Sequence, residues 1–140
     1  MSITEPSTVL ATVLEIGPGR GDLLFHLARE RPLVQIAAIE YKRKRFEKLV
    51  ARAVPFPNVR LYLGNAREVL PKEFGEETLE EIYLLFPDPW PKRRHAKHRL
   101  IQKPFAERLH QVLKLGGKVF IATDDADYHQ QIIEVFSGQP

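Results

Sequence analysis

Five short apolar runs, each closed by a turn and most followed by a segment of helical period, constrain what this chain can fold into more than any other feature. Residues 9–16 (VLATVLEI) are apolar and rich in β-branched side chains, and Gly17-Pro18-Gly19 ends them, so they read as a buried strand stopped by a turn. Residues 22–31 carry Leu23, Leu24, Leu27 and Ala28 at helical spacing, with Asp22 favouring the helix start and Pro32 just past its end. A second run at 34–39 is closed by Glu40. A charged helix over 43–52 then presents Phe46, Leu49 and Val50 on one face, and Pro55 and Pro57 break the chain before a third run at 59–63. The same signals predict a fourth strand at 79–86, a helix at 100–113, a fifth strand at 118–123 after a Gly116-Gly117 turn, and a last amphipathic helix from about 128 to 136.

Strands alternating with helices imply βαβ units, whose parallel strands are covered on both sides. The expected class is α/β, a doubly wound, mostly parallel sheet with helices on both faces. At 140 residues, 44% of them hydrophobic, the chain suits one domain over 1–140 with a single core. With 28% charged residues and no apolar stretch near the roughly 20 that cross a bilayer, no membrane is expected. The chain has no Cys, which excludes disulfides and thiolate metal sites. Residues 1–8 lack the basic start and apolar middle of a signal peptide, so the expected location is the cytoplasm.

The net charge of +3 is unevenly placed. Residues 92–103 hold Lys92, Arg93, Arg94, Lys97, Arg99 and Lys103 with no acid; removing those six from the 21 basic residues leaves 15 against 18 acidic ones. A basic strip on an otherwise slightly acidic domain is the footprint of a polyanion partner, because each phosphate it neutralises releases counterions.

In doubly wound sheets the ligand sits beyond the carboxyl ends of the strands, which selects the residues that follow each run. Gly17-Pro18-Gly19-Arg20-Gly21 places three glycines at alternate positions between a strand and a helix, so the backbone turns tightly and a ligand can approach it. The dinucleotide pattern G-x-G-x-x-G would need a small residue where Asp22 stands, and an acid at that helix start competes with a pyrophosphate. The loop therefore suits a nucleoside without phosphates, and Glu15 beside it could pair with an ammonium group; S-adenosyl-L-methionine meets both conditions. Glu40, 23 residues after Gly17, stands where a carboxylate meets ribose hydroxyls. Asn65 follows the third run, where its amide could read an adenine edge or simply form a turn.

Leu84-Leu85-Phe86-Pro87-Asp88-Pro89-Trp90-Pro91 is stiffened by three prolines that also push the residues before them into extended geometry. Asp88 would project beside the cofactor pocket. Trp90 would offer a plane for a base to stack on, or else plug the core beneath the turn. The basic strip begins at once with Lys92, Arg93 and Arg94, so a nucleic acid held there would present a base to Asp88 and Trp90. His95 and His98 lack a Cys or carboxylate to complete a ligand set, and no metal is expected.

Glu15-Ile16-Gly17, the glycine loop, Glu40, Gly64-Asn65-Ala66, the run from Phe86 to His95 (FPDPWPKRRH) and Thr123-Asp124 together resemble the bacterial tRNA (guanine-N7-)-methyltransferase family. The resemblance implies a Rossmann-like class I fold and S-adenosylmethionine as cofactor. It also implies tRNA as partner, with transfer to N7 of a variable-loop guanosine at position 46. By the same resemblance Glu15, Glu40, Asn65 and Asp88 contact the cofactor, Asp88 is also catalytic, and Lys92 and Asp124 contact the substrate; the reading of the residues themselves adds Gly17, Gly19 and Gly21 on the cofactor side and Trp90, Arg93, Arg94 and Arg99 on the substrate side. The family's pattern continues into a further strand pair carrying a Thr-x-x-Glu segment, which is not found up to Pro140. The expectation is therefore five strands rather than seven, with a homo-oligomer or a completing partner chain left open.

Guanine N7 bears an exposed lone pair, so no strong base is needed for its methylation. Alignment of the reacting atoms, and a carboxylate facing the charge that builds on the purine, would carry the rate. Besides a nicotinamide dehydrogenase, two alternatives stand alongside this one. An amino-group nucleic-acid methyltransferase would use an Asp-Pro-Pro-aromatic loop, whereas the order here is Asp-Pro-Trp-Pro. A catalytically silent or partner-dependent tRNA-binding subunit is the other.

Overall fold

The computed structural model describes residues 12–138. Five strands, β1 (Thr12–Ile16), β2 (Gln35–Glu40), β3 (Val59–Leu63), β4 (Leu79–Leu85) and β5 (Leu113–Ala122), form one sheet in the order β3-β2-β1-β4-β5. Every neighbouring pair is parallel, with Ile16 opposite both Ile39 and Leu84. The helices are α1 (Asp22–Glu30), α2 (Arg43–Arg52), α3 (Ala66–Glu73), α4 (Lys103–Val112) and α5 (Ala126–Ser137), with a 3-10 helix at Arg93–His98. The doubly wound class read from the sequence is the one observed. Of the first predicted run, residues 9–11 lie outside the described residues.

The period-two geometry of a strand divides the core. Leu14, Ile16, Ala37 and Ile39 face one side and pack with Leu70, Phe105, Leu109, Tyr128 and Ile132, which belong to α3, α4 and α5. Val13, Ile36 and Ala38 face the other and meet Leu24, Phe25, Leu27 and Ala28 of α1 and Leu49 of α2. Both faces of β1 and β2 are buried, which is why these strands read as unbroken apolar runs. Among the described residues no helix is long and apolar enough to cross a membrane.

Three local differences from the sequence expectation have physical causes. Helix α3 was not expected; it buries only Ala66 and Leu70 and holds Pro71, so its apolar period is faint. Gly116-Gly117 is an irregularity inside β5 rather than a turn before it: Leu79 lies opposite Leu113 while Glu81 lies opposite Lys118, and the surplus residues include Gly116 at φ +82°. The helix predicted from residue 100 starts at Lys103, with a proline in its first turn.

Candidate functional site

The chain lays down β1, β2 and β3 outward and then returns to place β4 on the other side of β1. At such a switch the loops after adjacent strands diverge and leave a crevice beyond their carboxyl ends. A cavity of about 380 Å³ occupies it, lined by Gly17 after β1, Glu40 at the end of β2, Asn65 after β3, and Asp88 and Trp90 after β4. Five of the residues singled out in the sequence are thus brought together. Gly19, Gly21, Glu15, Lys92, Arg93, Arg94, Arg99 and Asp124 are not among those lining the cavity.

The glycines divide the labour. Gly17 sits at φ +72° with its N–H donating to the Ile39 carbonyl at 2.9 Å, and a Cβ built on it would meet nothing within 4 Å. The cavity wall is therefore bare backbone there. Gly21 precedes α1 at φ +91°, where a Cβ would come within 2.6 Å of the Phe25 ring, so it serves the packing of α1 against α2. Gly19 lies in the turn between them.

Glu40 is buried, and its Oε2 accepts the Lys42 N–H at 2.7 Å, which fixes the carboxylate at the corner between β2 and α2. Asn65 caps α3: its Oδ1 accepts the Arg67 N–H at 2.9 Å, so the side-chain NH2 is the end left for a ligand. Glu15 lies on the α1 side of β1, 4% exposed, and its Oε1 is the one buried side-chain polar atom without a partner among the described residues. Burial pushes its pKa from 4.5 to about 7, opposed by the Leu24 N–H and helped by the negative charge of Asp22. An orphaned acceptor beneath a glycine loop is what a bound cationic or N–H-bearing group would satisfy.

The loop after β4 is strained. Phe86 and Trp90, each followed by a proline and expected to be extended, instead adopt φ values of +52° and +44°, a region that disfavours bulky side chains, on either side of Pro87-Asp88-Pro89. Asp88 is exposed toward the cavity and Trp90 is 39% exposed, so the tryptophan lines the site and does not plug the core. Its ring lies 4.9 Å from that of His98 and 5.8 Å from that of His95.

Arg99 corrects a sequence expectation. Instead of joining the cationic strip it is 1% exposed, with Nη2 donating to Asp127 at 2.9 Å and Nη1 to Gln131 at 2.7 Å. Its Nε donates to the Pro89 carbonyl, and the guanidinium lies 5.0 Å from the centre of the Tyr128 ring. Buried and engaged at all three nitrogens, this guanidinium is not presented to a phosphate at the surface. Lys92, Arg93, Arg94 and Lys97 are exposed along or beside the 3-10 helix, and Asp124 is exposed between β5 and α5.

Sequence reasoning overlooked Tyr41, Lys42, Arg45 and Arg67, which also line the cavity. A count of charge in short windows would have found Lys42 and Arg45, since residues 42–45 are four consecutive cations. Among the described residues no group of three or more His, Asp or Glu is arranged to hold a metal ion. A backbone wall, a buried carboxylate at the neighbouring strand end and an orphaned carboxylate under the loop together fit a cationic nucleoside better than a diphosphate.

A family model described as "Putative methyltransferase" matches residues 10–140. A tRNA (guanine-N(7)-)-methyltransferase of Shewanella piezotolerans is 39% identical over 131 residues, 92% of this chain and 55% of that protein. Its counterpart in Nitrosococcus oceani is 41% identical over 127 residues, 89% of this chain and 54% of that protein. The chain thus spans little more than half the length of these curated relatives. Among solved structures, a precorrin-6y C5,15-methyltransferase from Geobacter metallireducens superposes with a TM-score of 0.71 at 15% identity, covering 91% of this chain and 60% of that one. An aminoglycoside resistance methyltransferase does so at 0.68 and 20% identity, covering 96% and 66%. At such identities the likeness speaks for the fold.

Proposed function

The chain belongs to this methyltransferase family, and from that premise we propose that it transfers a methyl group from S-adenosylmethionine to N7 of a guanosine in tRNA, a cytoplasmic reaction. The observation that carries the reading is the convergence of Gly17, Glu40, Asn65 and Asp88 on one cavity from four strand ends. When bound, S-adenosylmethionine supplies an electrophilic methyl on a sulfonium.

Gly17 lets the backbone approach the cofactor closely, Glu40 accepts the ribose hydroxyls, and the Asn65 amide donates to the adenine edge. Glu15, with an oxygen lacking a partner, is the acceptor for the ammonium group, and binding there relieves its buried, unpaired state. Gly19 and Gly21 shape the loop that brings these groups together.

Asp88 stands on the β4 side of the same cavity, where a carboxylate faces the positive charge that develops on a guanine alkylated at N7. No proton need leave N7, so the Asp88 carboxylate acts by its charge and by holding a guanine N–H. Trp90 offers the base a stacking plane, and the exposed Lys92, Arg93 and Arg94 take the adjoining phosphates, with Asp124 at the substrate's edge. N7 is inaccessible in a stacked A-form duplex, so the target is a splayed or loop nucleotide.

Calorimetric titration with S-adenosylmethionine, with a nicotinamide dinucleotide as control, tests the cofactor assignment. Labelled-methyl transfer to tRNA tests the reaction. Binding of S-adenosylmethionine alone and label in N7-methylguanosine are expected; label in an amino-methylated base, or none, contradicts the proposal.

A further inference from the structure

The opposite rim of the cavity carries charge that the fold does not explain. Tyr41, Lys42, Arg43, Lys44 and Arg45 follow directly on β2, with Lys48 next along α2; all six are exposed, and Glu47 is the one acid among residues 41–48. Tyr41, Lys42 and Arg45 line the cavity from the β2 side, whereas Trp90 and His98 line it from the β4 side. Since β1 lies between β2 and β4, the two groups stand on either side of the strand that carries Gly17.

This arrangement works against the stability of α2. The first turn of a helix bears partial positive charge and favours acids, yet α2 starts with Lys42 at its cap and Arg43, Lys44 and Arg45 behind it, with no acid in that turn. Lys42 and Arg45 are three residues apart and Lys44 and Lys48 four, spacings at which like charges repel. None of the five cations forms an ion pair among the described residues. Leu49 is the only buried residue of α2, so packing offsets little of this repulsion. By contrast α1, on the same face of the sheet, begins with Asp22.

We propose that residues 41–48 form a second polynucleotide-binding rim, so that the RNA lies across the mouth of the cavity and is gripped on both sides. A nucleotide splayed into a pocket leaves its 5′ and 3′ phosphodiesters running out in opposite directions, and a strip on one side holds only one of them. Lys42, Arg43, Lys44, Arg45 and Lys48 take one flank, Lys92, Arg93, Arg94 and Lys97 the other, and Tyr41, 69% exposed, is a stacking surface for a flanking base. The inference rests on the reading of the chain as a tRNA methyltransferase and names where the substrate lies.

The test is an Arg43→Gln/Lys44→Gln/Lys48→Gln variant, which spares the cavity-lining side chains. Affinity for tRNA is measured between about 50 and 200 mM salt, affinity for S-adenosylmethionine by calorimetry, and stability by thermal unfolding. The expected result is tRNA binding about tenfold weaker or more, with the log–log salt slope reduced by about 2 units. Cofactor affinity is expected to stay within about twofold, and the melting temperature to hold or rise as repulsion is relieved. A salt slope equal to that of the wild type overturns the rim while leaving the methyltransferase reading intact. A variant that loses tRNA and also melts lower assigns these residues to folding and likewise overturns it. Failure of the wild-type chain to bind tRNA at all contradicts the underlying reading, and the rim with it.

Discussion

The Arg99 guanidinium donates to the Asp127 carboxylate at 2.9 Å while its Nε donates to the Pro89 carbonyl, so the loop that presents Asp88 is tied to α5 by a buried cation. The tie offsets local strain, because Phe86 and Trp90 hold positive φ angles that the loop would not keep unaided. The neighbouring carbonyl of Arg99 itself accepts from Arg67 at 2.8 Å, which links the start of α3 to the same junction. The position of Asp88 is thus set by residues far along the chain, not by its prolines alone.

Arg99→Lys keeps the charge but not the planar fork that reaches loop and helix together. It is expected to destabilise the protein by about 2–4 kcal/mol, with charge-assisted hydrogen bonds lost in a buried setting. Trp90 is the only tryptophan, so its emission reports this loop directly. A red shift and stronger acrylamide quenching are expected; an unaltered spectrum would show that the loop does not depend on Arg99.

Glu15 makes stability depend on pH. Burial raises its pKa from 4.5 to about 7, so the folded state holds the proton more tightly than the unfolded one does. The stability this contributes is complete below about pH 4.5 and is lost as pH climbs through about 7, a change on the order of 3 kcal/mol. Glu15→Gln cannot ionise and is expected to lack that decline when urea unfolding is compared at pH 5 and pH 8. Parallel pH dependence in the two proteins would contradict the buried, unpaired state.

The two glycines should respond in opposite ways. Gly17→Ala meets no clash, so it is expected to cost only about 1–2 kcal/mol for the left-handed backbone, yet to weaken S-adenosylmethionine at least tenfold by walling off the approach. Gly21→Ala drives a Cβ within 2.6 Å of the Phe25 ring and 2.8 Å of Leu49, and is expected to lose more stability than Gly17→Ala, about 3 kcal/mol or more. Thermal unfolding and cofactor calorimetry on both variants check this; Gly17→Ala being the less stable of the two would reverse the assignment.

The strands and the glycine loop were legible because parallel strands buried on both faces read as unbroken apolar runs stopped by Gly and Pro, as β1 and β2 do. Helix α3 was not, since two buried residues, Ala66 and Leu70, followed by Pro71 leave almost no period to detect. Gly116-Gly117 signals a bend but not whether the strand resumes beyond it, and here it lies within β5. Gly17, Glu40, Asn65 and Asp88 were found because topology dictates where strand ends meet. Arg99 was misread because its burial is decided by Asp127 and Gln131, residues that a local charge count does not connect to it. The rim at 41–48 escaped because its cations were balanced, in a sum over the whole chain, against acids placed elsewhere.

The claim on which the rest depends is that the carboxylate of Asp88 faces the guanine undergoing methylation. Nucleoside mass spectrometry of tRNA incubated with S-adenosylmethionine and either the wild-type chain or Asp88→Ala tests it most directly. N7-methylguanosine is expected from the wild type and a rate at least about a hundredfold lower from the variant, with tRNA affinity preserved within severalfold. N7-methylguanosine from Asp88→Ala at the wild-type rate would contradict it.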